Sequence, residues 1–144
     1  MAEHDLRCTC FRLRRAARAI TQLYDRELEP GGVTVTQFSI LAELSRSGAQ
    51  PTSALAARMG MDRTTMTRTL KPLRREGLLA DATSADGRVR AVGLTAEGER
   101  RFAAGVPLWR NAEREIARSL GAEGTEGLYA LLRKVEKAAA GVAS

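Results

Sequence analysis

Residues 52–95 read TSALAARMGMDRTTMTRTLKPLRREGLLADATSADGRVRAVGLT, and the order of features along this stretch decides the fold. Thr52 to Met59 has the spacing of a short helix, with Thr52 or Ser53 expected as its N-cap and Gly60 expected to end it in the left-handed conformation. Three residues turn the chain, and Asp62 is placed to cap a second helix over 63–76 that Gly77 closes. At about 100° per residue, Met66, Leu70 and Leu73 fall on one narrow apolar stripe, while Thr64, Arg68, Lys71 and Arg75 fall on the opposite side. Residues 78–83 and 89–95 then read as two strands, joined by 84–88, where the Asp86-Gly87 step signals a turn. Pro72 removes one backbone donor from the second helix and predicts a bend behind its first turns. Short helix, tight turn, basic helix and basic hairpin, in that order, make a winged helix-turn-helix.

A helix that presents hydroxyls and long cations suits the major groove of duplex DNA. Arginine can fork onto guanine there, and threonine can meet a thymine methyl. The expected contacts are Arg63, Thr64, Thr67, Arg68, Lys71 and Arg75 from the helix, with Arg88 and Arg90 from the wing reaching a minor groove or its phosphates. Within 52–95 the chain carries eight basic residues against four acidic ones, so most of its net charge of +6 lies here. A winged helix that binds protein instead of DNA is the alternative. It predicts little loss of function when Arg68 and Arg88 are neutralised together.

These residues also carry a family likeness. Gly60-Met61-Asp62-Arg63-Thr64-Thr65-Met66-Thr67-Arg68, then Leu73-Arg74-Arg75-Glu76-Gly77-Leu78, then 86–98 (DGRVRAVGLTAEG), resemble the multiple antibiotic resistance regulator (MarR) family. The likeness implies one domain over 1–144, mainly α with a small β-wing: a DNA-binding unit over 35–95 flanked by dimerisation helices over 5–34 and 96–144. It further implies a homodimer on a near-palindromic operator, acting as a repressor that a small aromatic or phenolic effector releases. Family members usually carry Asp-Arg-Arg at the wing tip. Gly87 stands here in the central place, which leaves Arg88 to match the arginine that enters the minor groove.

Composition narrows the partner. Aromatic residues are only 4% of the 144, too few for a base-stacking platform that would favour single strands or RNA. No run has the length of a membrane span and the N-terminus lacks a signal-peptide core, so a cytoplasmic protein is expected. A single histidine, His4, and the lack of a glycine-rich phosphate loop or metal cluster argue against an enzyme and predict no cofactor and no metal. A thiol oxidoreductase using Cys8 and Cys10 is the one enzyme class left, and it would need neither wing nor outward arginines.

The flanks read as helices. Leu6, Cys10, Leu13, Ala17, Ile20, Tyr24 and Leu28 recur every three or four residues from Asp5 to Glu29, until Pro30-Gly31-Gly32 stops them. Thr36 is expected to cap a helix with Phe38, Ile40, Leu41 and Leu44 inward, and Gln50-Pro51 to supply a small third strand. Two more helices are expected over 96–120 (Phe102, Val106, Trp109, Ile116, Leu120) and 123–140 (Leu128, Leu131, Leu132, Val135). Together they carry more apolar surface than a unit of about sixty residues can cover, and a second copy of the chain can supply the missing partner. The family likeness implies that the two reading helices of such a pair lie about 34 Å apart, one turn of DNA.

Regulation needs an input that distinguishes two states. One input, which the family likeness implies, is a small molecule in the cleft between the dimerisation helices and the reading unit, for which Arg14, Arg18, Tyr24 and Trp109 are the expected lining, an arginine serving a carboxylate and the rings an apolar body. Trp109 on an apolar stripe also reads as plain core. The other input is thiol chemistry at Cys8 and Cys10, where the start of a helix and the neighbouring Arg7 and Arg12 favour a thiolate. Cys10-Phe11 followed by Tyr24 resembles the organic-hydroperoxide-sensing branch of the family, although Val35 stands where that branch has a second tyrosine. Inert packing on the apolar stripe, and metal or arsenical binding, are further readings of the pair. A disulfide between them is disfavoured inside a regular helix, because residues two apart point to different sides.

Overall fold

The structure is a computed structural model that describes residues 7–83, 87 and 90–142. Five helices and a two-stranded ribbon follow one another as α1 (Thr9–Leu28), a 3-10 turn (Glu29–Gly31), α2 (Val35–Ser47), α3 (Thr52–Met59), α4 (Arg63–Arg75), β1 (Leu79–Thr83), β2 (Arg90–Leu94) and α5 (Ala96–Val142). Mainly helical architecture with a small wing is as expected. Of the described residues, those up to Trp109 pack as one compact unit and those from Arg110 onward as another.

Helix ends follow local chemistry, and two of them differ from expectation. Thr34, not Thr36, caps α2: its hydroxyl accepts from the Gln37 amide at 3.2 Å while the Gln37 side chain accepts from the Thr34 amide at 3.0 Å. This reciprocal box satisfies two unpaired donors where a cap at Thr36 would satisfy one. Asp25 adds a further acceptor, 2.7 Å from the Val35 amide. At α3 the N-cap is Pro51, with no side-chain hydrogen bond, so neither Thr52 nor Ser53 has that role. Proline fits there because its fixed φ suits a helix entry and it brings no amide of its own. Gly60 takes φ 65°, and its amide closes α3 onto Ala56 and Ala57.

The turn between α3 and α4 is short because Asp62 caps at once, its carboxylate accepting from the Thr65 amide at 2.7 Å. Met66, Leu70 and Leu73 of α4 are all buried and join Leu28, Phe38, Ile40, Leu41, Leu44, Leu55 and Val92 in one core. The wing pairs antiparallel, Leu79 opposite Leu94 through Thr83 opposite Arg90. Gln50 adds the expected third-strand contact, exchanging two backbone bonds with Val92 at 3.0 and 2.9 Å. Of the loop, only Gly87 is described, so the positions of Arg88, Asp86 and Val89 lie outside the described residues, as do Asp5 and Leu6.

Thr95 joins three elements. Its hydroxyl donates to the Gly77 carbonyl at 2.6 Å and accepts from the Gly98 amide at 3.0 Å, while its own amide donates to the Leu78 carbonyl at 3.1 Å. Gly98 is pressed so near β1 that a Cβ there would stand 2.2 Å from the Leu78 carbonyl oxygen. The start of α5 is thus fixed to the junction between α4 and the wing.

Helix α5 is interrupted at Gly121, whose φ of 74° and ψ of 166° are not helical. The interruption falls between the two helices expected on either side of it. Along α1 only Tyr24 and Leu28 are buried, and Cys10, Phe11 and Ile20 are exposed. The stripe is present, but its first half meets no partner within the chain's described core. In 110–144, Leu120, Leu128, Tyr129 and Leu131 are exposed as well, Leu131 at 60%.

Candidate nucleic-acid interface

The stripe that buries Met66, Leu70 and Leu73 turns the other side of α4 outward. Arg63, Thr64, Thr67, Arg68 and Lys71 all line one open depression of about 380 Å³. Among the described residues, no ion pair engages Arg63, Arg68, Lys71 or Arg75. Thr67 donates its hydroxyl to the Arg63 carbonyl at 2.9 Å, so it has a methyl group and acceptor lone pairs left for a ligand. Asp62, at the head of this surface, is held below the usual carboxylate range, first by the Thr65 amide and in part by the charge of Arg68. Arg75 is exposed further along the helix, and Arg90 begins β2 at the loop end of the wing, opposite Thr83. Arg88 lies outside the described residues.

Not every cation of 52–95 is available to a partner. Arg58 of α3 bonds through Nε to Glu43 at 2.5 Å, and Glu43, 8% exposed on the inner side of α2, is also bonded to Arg46 and, at 3.0 Å, to the Ser47 hydroxyl. The Arg46 bond is the largest of the effects that hold this carboxyl at about 2, with Ser47 and Arg58 adding to it and burial opposing. Sequence reasoning missed this cluster. The available signal was an acid at an inward position of an apolar helix, between Leu41 and Leu44. Arg74 is likewise occupied, its Nη1 lying 2.6 Å from Asp81 of β1.

The four expected effector residues do not share one pocket. Arg14 and Arg18 line a depression of about 360 Å³ together with Cys8, Cys10 and Phe11. Trp109 lines a different cleft of about 450 Å³, with Phe38, Phe102, Met59, Glu43 and Arg46 among its walls. The Phe38 ring stands 5.4 Å from Phe102 and 6.0 Å from Trp109, so three aromatic faces converge there. Tyr24 is buried in the second half of α1. Cys8 and Cys10 are both free and exposed, Cys8 as the N-cap of α1, with its sulfur accepting from the Phe11 amide at 3.4 Å. Among the described residues no helix is long and apolar enough to cross a membrane.

Known proteins share this arrangement. A family model described as the MarR family matches residues 33–88, from just before α2 to the wing loop. The transcriptional regulator MosR of M. tuberculosis, solved in complex with DNA, is 43% identical, with 92% of this chain and 98% of that chain covered and a TM-score of 0.78. A probable transcriptional regulator from Pseudomonas aeruginosa is 27% identical over 90% of this chain and 97% of its own, at a TM-score of 0.80. The uncharacterized HTH-type regulator YwoH of Bacillus subtilis is 29% identical over 90 residues, 62% of this chain. The match spans 66% of that relative, just under two thirds of its length. Helix, turn, outward cationic helix and wing therefore come together with a likeness that runs through nearly the whole chain, and the protein belongs to the MarR family of DNA-binding transcriptional regulators, a non-enzymatic class.

Proposed function

We propose that the chain is a homodimeric repressor that seats α4 of each copy in successive major grooves of a near-palindromic operator. The observation that carries this reading is the row of outward side chains on α4, from Arg63 to Lys71, around one open depression. Arginines at base edges supply sequence choice, and cations at phosphates supply affinity that falls with salt. Exposed apolar side chains support the dimer: Phe11 and Ile20 on α1, and Leu128 and Leu131 on the last part of α5, are surfaces a second copy would cover. Residues 5–34 and 96–144 serve as the dimerisation helices in this reading, and the cytoplasm is its compartment. Sedimentation should give twice the chain mass of 15.6 kDa, and footprinting should protect two half-sites one DNA turn apart, about 34 Å. A monomer in sedimentation or a single protected half-site would remove it.

Release by a small aromatic or phenolic effector fits the cleft at Trp109, where Phe38 and Phe102 supply rings and Arg46 a cation at the edge. A second input is favoured by one observation, the exposure of both thiols in a depression shared with Arg14 and Arg18. Cys8 has extended backbone, φ −86° and ψ 113°, outside the regular helix. The geometric objection to joining it to Cys10 is accordingly weaker than it is for two helical residues. In this reading a hydroperoxide oxidises the Cys10 thiol to a sulfenic acid, the O–O bond breaks and the alcohol leaves, and DNA is released. Peroxide is expected to displace the wild type from a selected duplex and to leave Cys10→Ser bound. Identical release curves would dismiss the thiol input.

A further inference from the structure

Asp81 and Arg90 lie on the same side of the wing ribbon. Asp81 is opposite Val92 and Thr83 opposite Arg90, so Asp81, Thr83, Arg90 and Val92 share one face by the alternation of strands. At the Val92 end this face enters the core, where Val92 is 1% exposed. At the Arg90 end it opens into a depression of about 430 Å³ lined by Thr52, Arg74, Asp81, Arg90 and Ala91. The outer part of the wing ribbon, the first residue of α3 and the end of α4 meet there.

The chemistry of this depression is two guanidinium groups and a hydroxyl around one carboxylate. Arg74 donates to Asp81 at 2.6 Å, and the charge of Arg90 also acts on that carboxyl, holding it below its ordinary range behind the larger effect of Arg74. The Asp81 side chain is 68% exposed, so the pair stands in water and is a weak, exchangeable one. Arg74 also lies three residues after Lys71, one turn along the helix and on a neighbouring position. It extends the cationic row of the reading depression toward the wing.

We propose that Thr52, Arg74 and Arg90 form a binding site for a backbone phosphodiester of duplex DNA, which Asp81 fills in the free protein and gives up when DNA binds. A phosphodiester brings the same single negative charge and two acceptor oxygens in the geometry that arginine forks accept. Asp81 thereby limits affinity without touching sequence choice. This inference rests on the reading of α4 as the surface that meets the duplex.

Full-length Asp81→Asn is tested against a selected genomic duplex and a random duplex of equal length, by fluorescence anisotropy across salt. Both affinities are expected to rise by about twofold to fivefold, the span of a released surface pair. The affinity ratio between about 50 and about 200 mM salt should grow by about threefold to fourfold, because the Asp81 carboxylate freed in the wild type takes up a cation that offsets one released from the phosphates, and asparagine takes up none. Arg74→Gln in the Asp81→Asn background should abolish the gain. Unchanged or weaker binding by Asp81→Asn, or a gain that survives Arg74→Gln, would overturn the site. Thermal melting of each variant, with Asp81→Ser as a second neutral replacement, separates these outcomes from misfolding. Replacing Arg63 and Arg68 tests the α4 reading separately, because its loss falls on the selected duplex whether or not the Asp81 site responds.

Discussion

Arg63→Ala combined with Arg68→Ala is expected to weaken binding to a selected duplex by about 2–6 kcal/mol, from about 1–3 kcal/mol for each arginine that reads a base edge. The two side chains sit five residues apart in the same depression, at opposite ends of the outward surface of the first turns of α4. Neither is in an ion pair among the described residues, so their removal strands no buried partner. The folded protein should therefore melt as the wild type does. Preference for the selected over a random duplex should shrink along with affinity, which anisotropy with the two duplexes measures directly. Equal losses on both duplexes would mean that these arginines meet phosphates only, and no loss would mean that α4 does not face DNA.

Leu73→Ala is expected to lower unfolding free energy by about 2–5 kcal/mol, the range for a leucine truncated in a core that collapses only partly. Leu73 is fully buried, and its carbonyl accepts from the Leu78 amide at 3.0 Å where the chain leaves α4 for the wing. Against a typical stability of about 5–15 kcal/mol, such a loss would move the urea midpoint well down. The DNA consequence is opposite in kind to that of the arginines. Leu73→Ala should reduce the fraction of protein able to bind while leaving the affinity of the folded fraction intact, and a stabilising co-solute should restore binding. A midpoint within error of the wild type would show that the site relaxes without a cavity.

The DNA-binding half was legible because its signals are local. A glycine that ends α3, an aspartate that caps α4 and a period of three to four apolar residues each act within a few positions, and the structure places them as read. Apolar stripes on α1 and α5 were equally legible as patterns, but a pattern states which face is apolar and not what covers it. Cys10 shows this well: it is on the stripe and yet exposed.

What the sequence hid is tertiary pairing. Glu43 to Arg58 spans fifteen positions, and nothing in the local run distinguishes an arginine held by a buried carboxylate from one that waits for a phosphate. The same holds for Arg74 and Asp81, seven apart across the end of a helix. The Thr34 cap was missed for a smaller reason. Thr34 and Thr36 both precede an apolar run, and only the glutamine three residues after Thr34 separates them.

The bonds of Thr95 to Gly77, Leu78 and Gly98 give the reading helix a mechanical role. Its base is tied to the start of α5, and the thirteen residues of the helix make a lever of about 20 Å at 1.5 Å each. Tilting that base by about 10° sweeps the far tip through about 3.5 Å, close to the rise of one base pair at about 3.4 Å. If α4 reads a groove as proposed, a rocking of that size is enough to put its tip out of register with the bases.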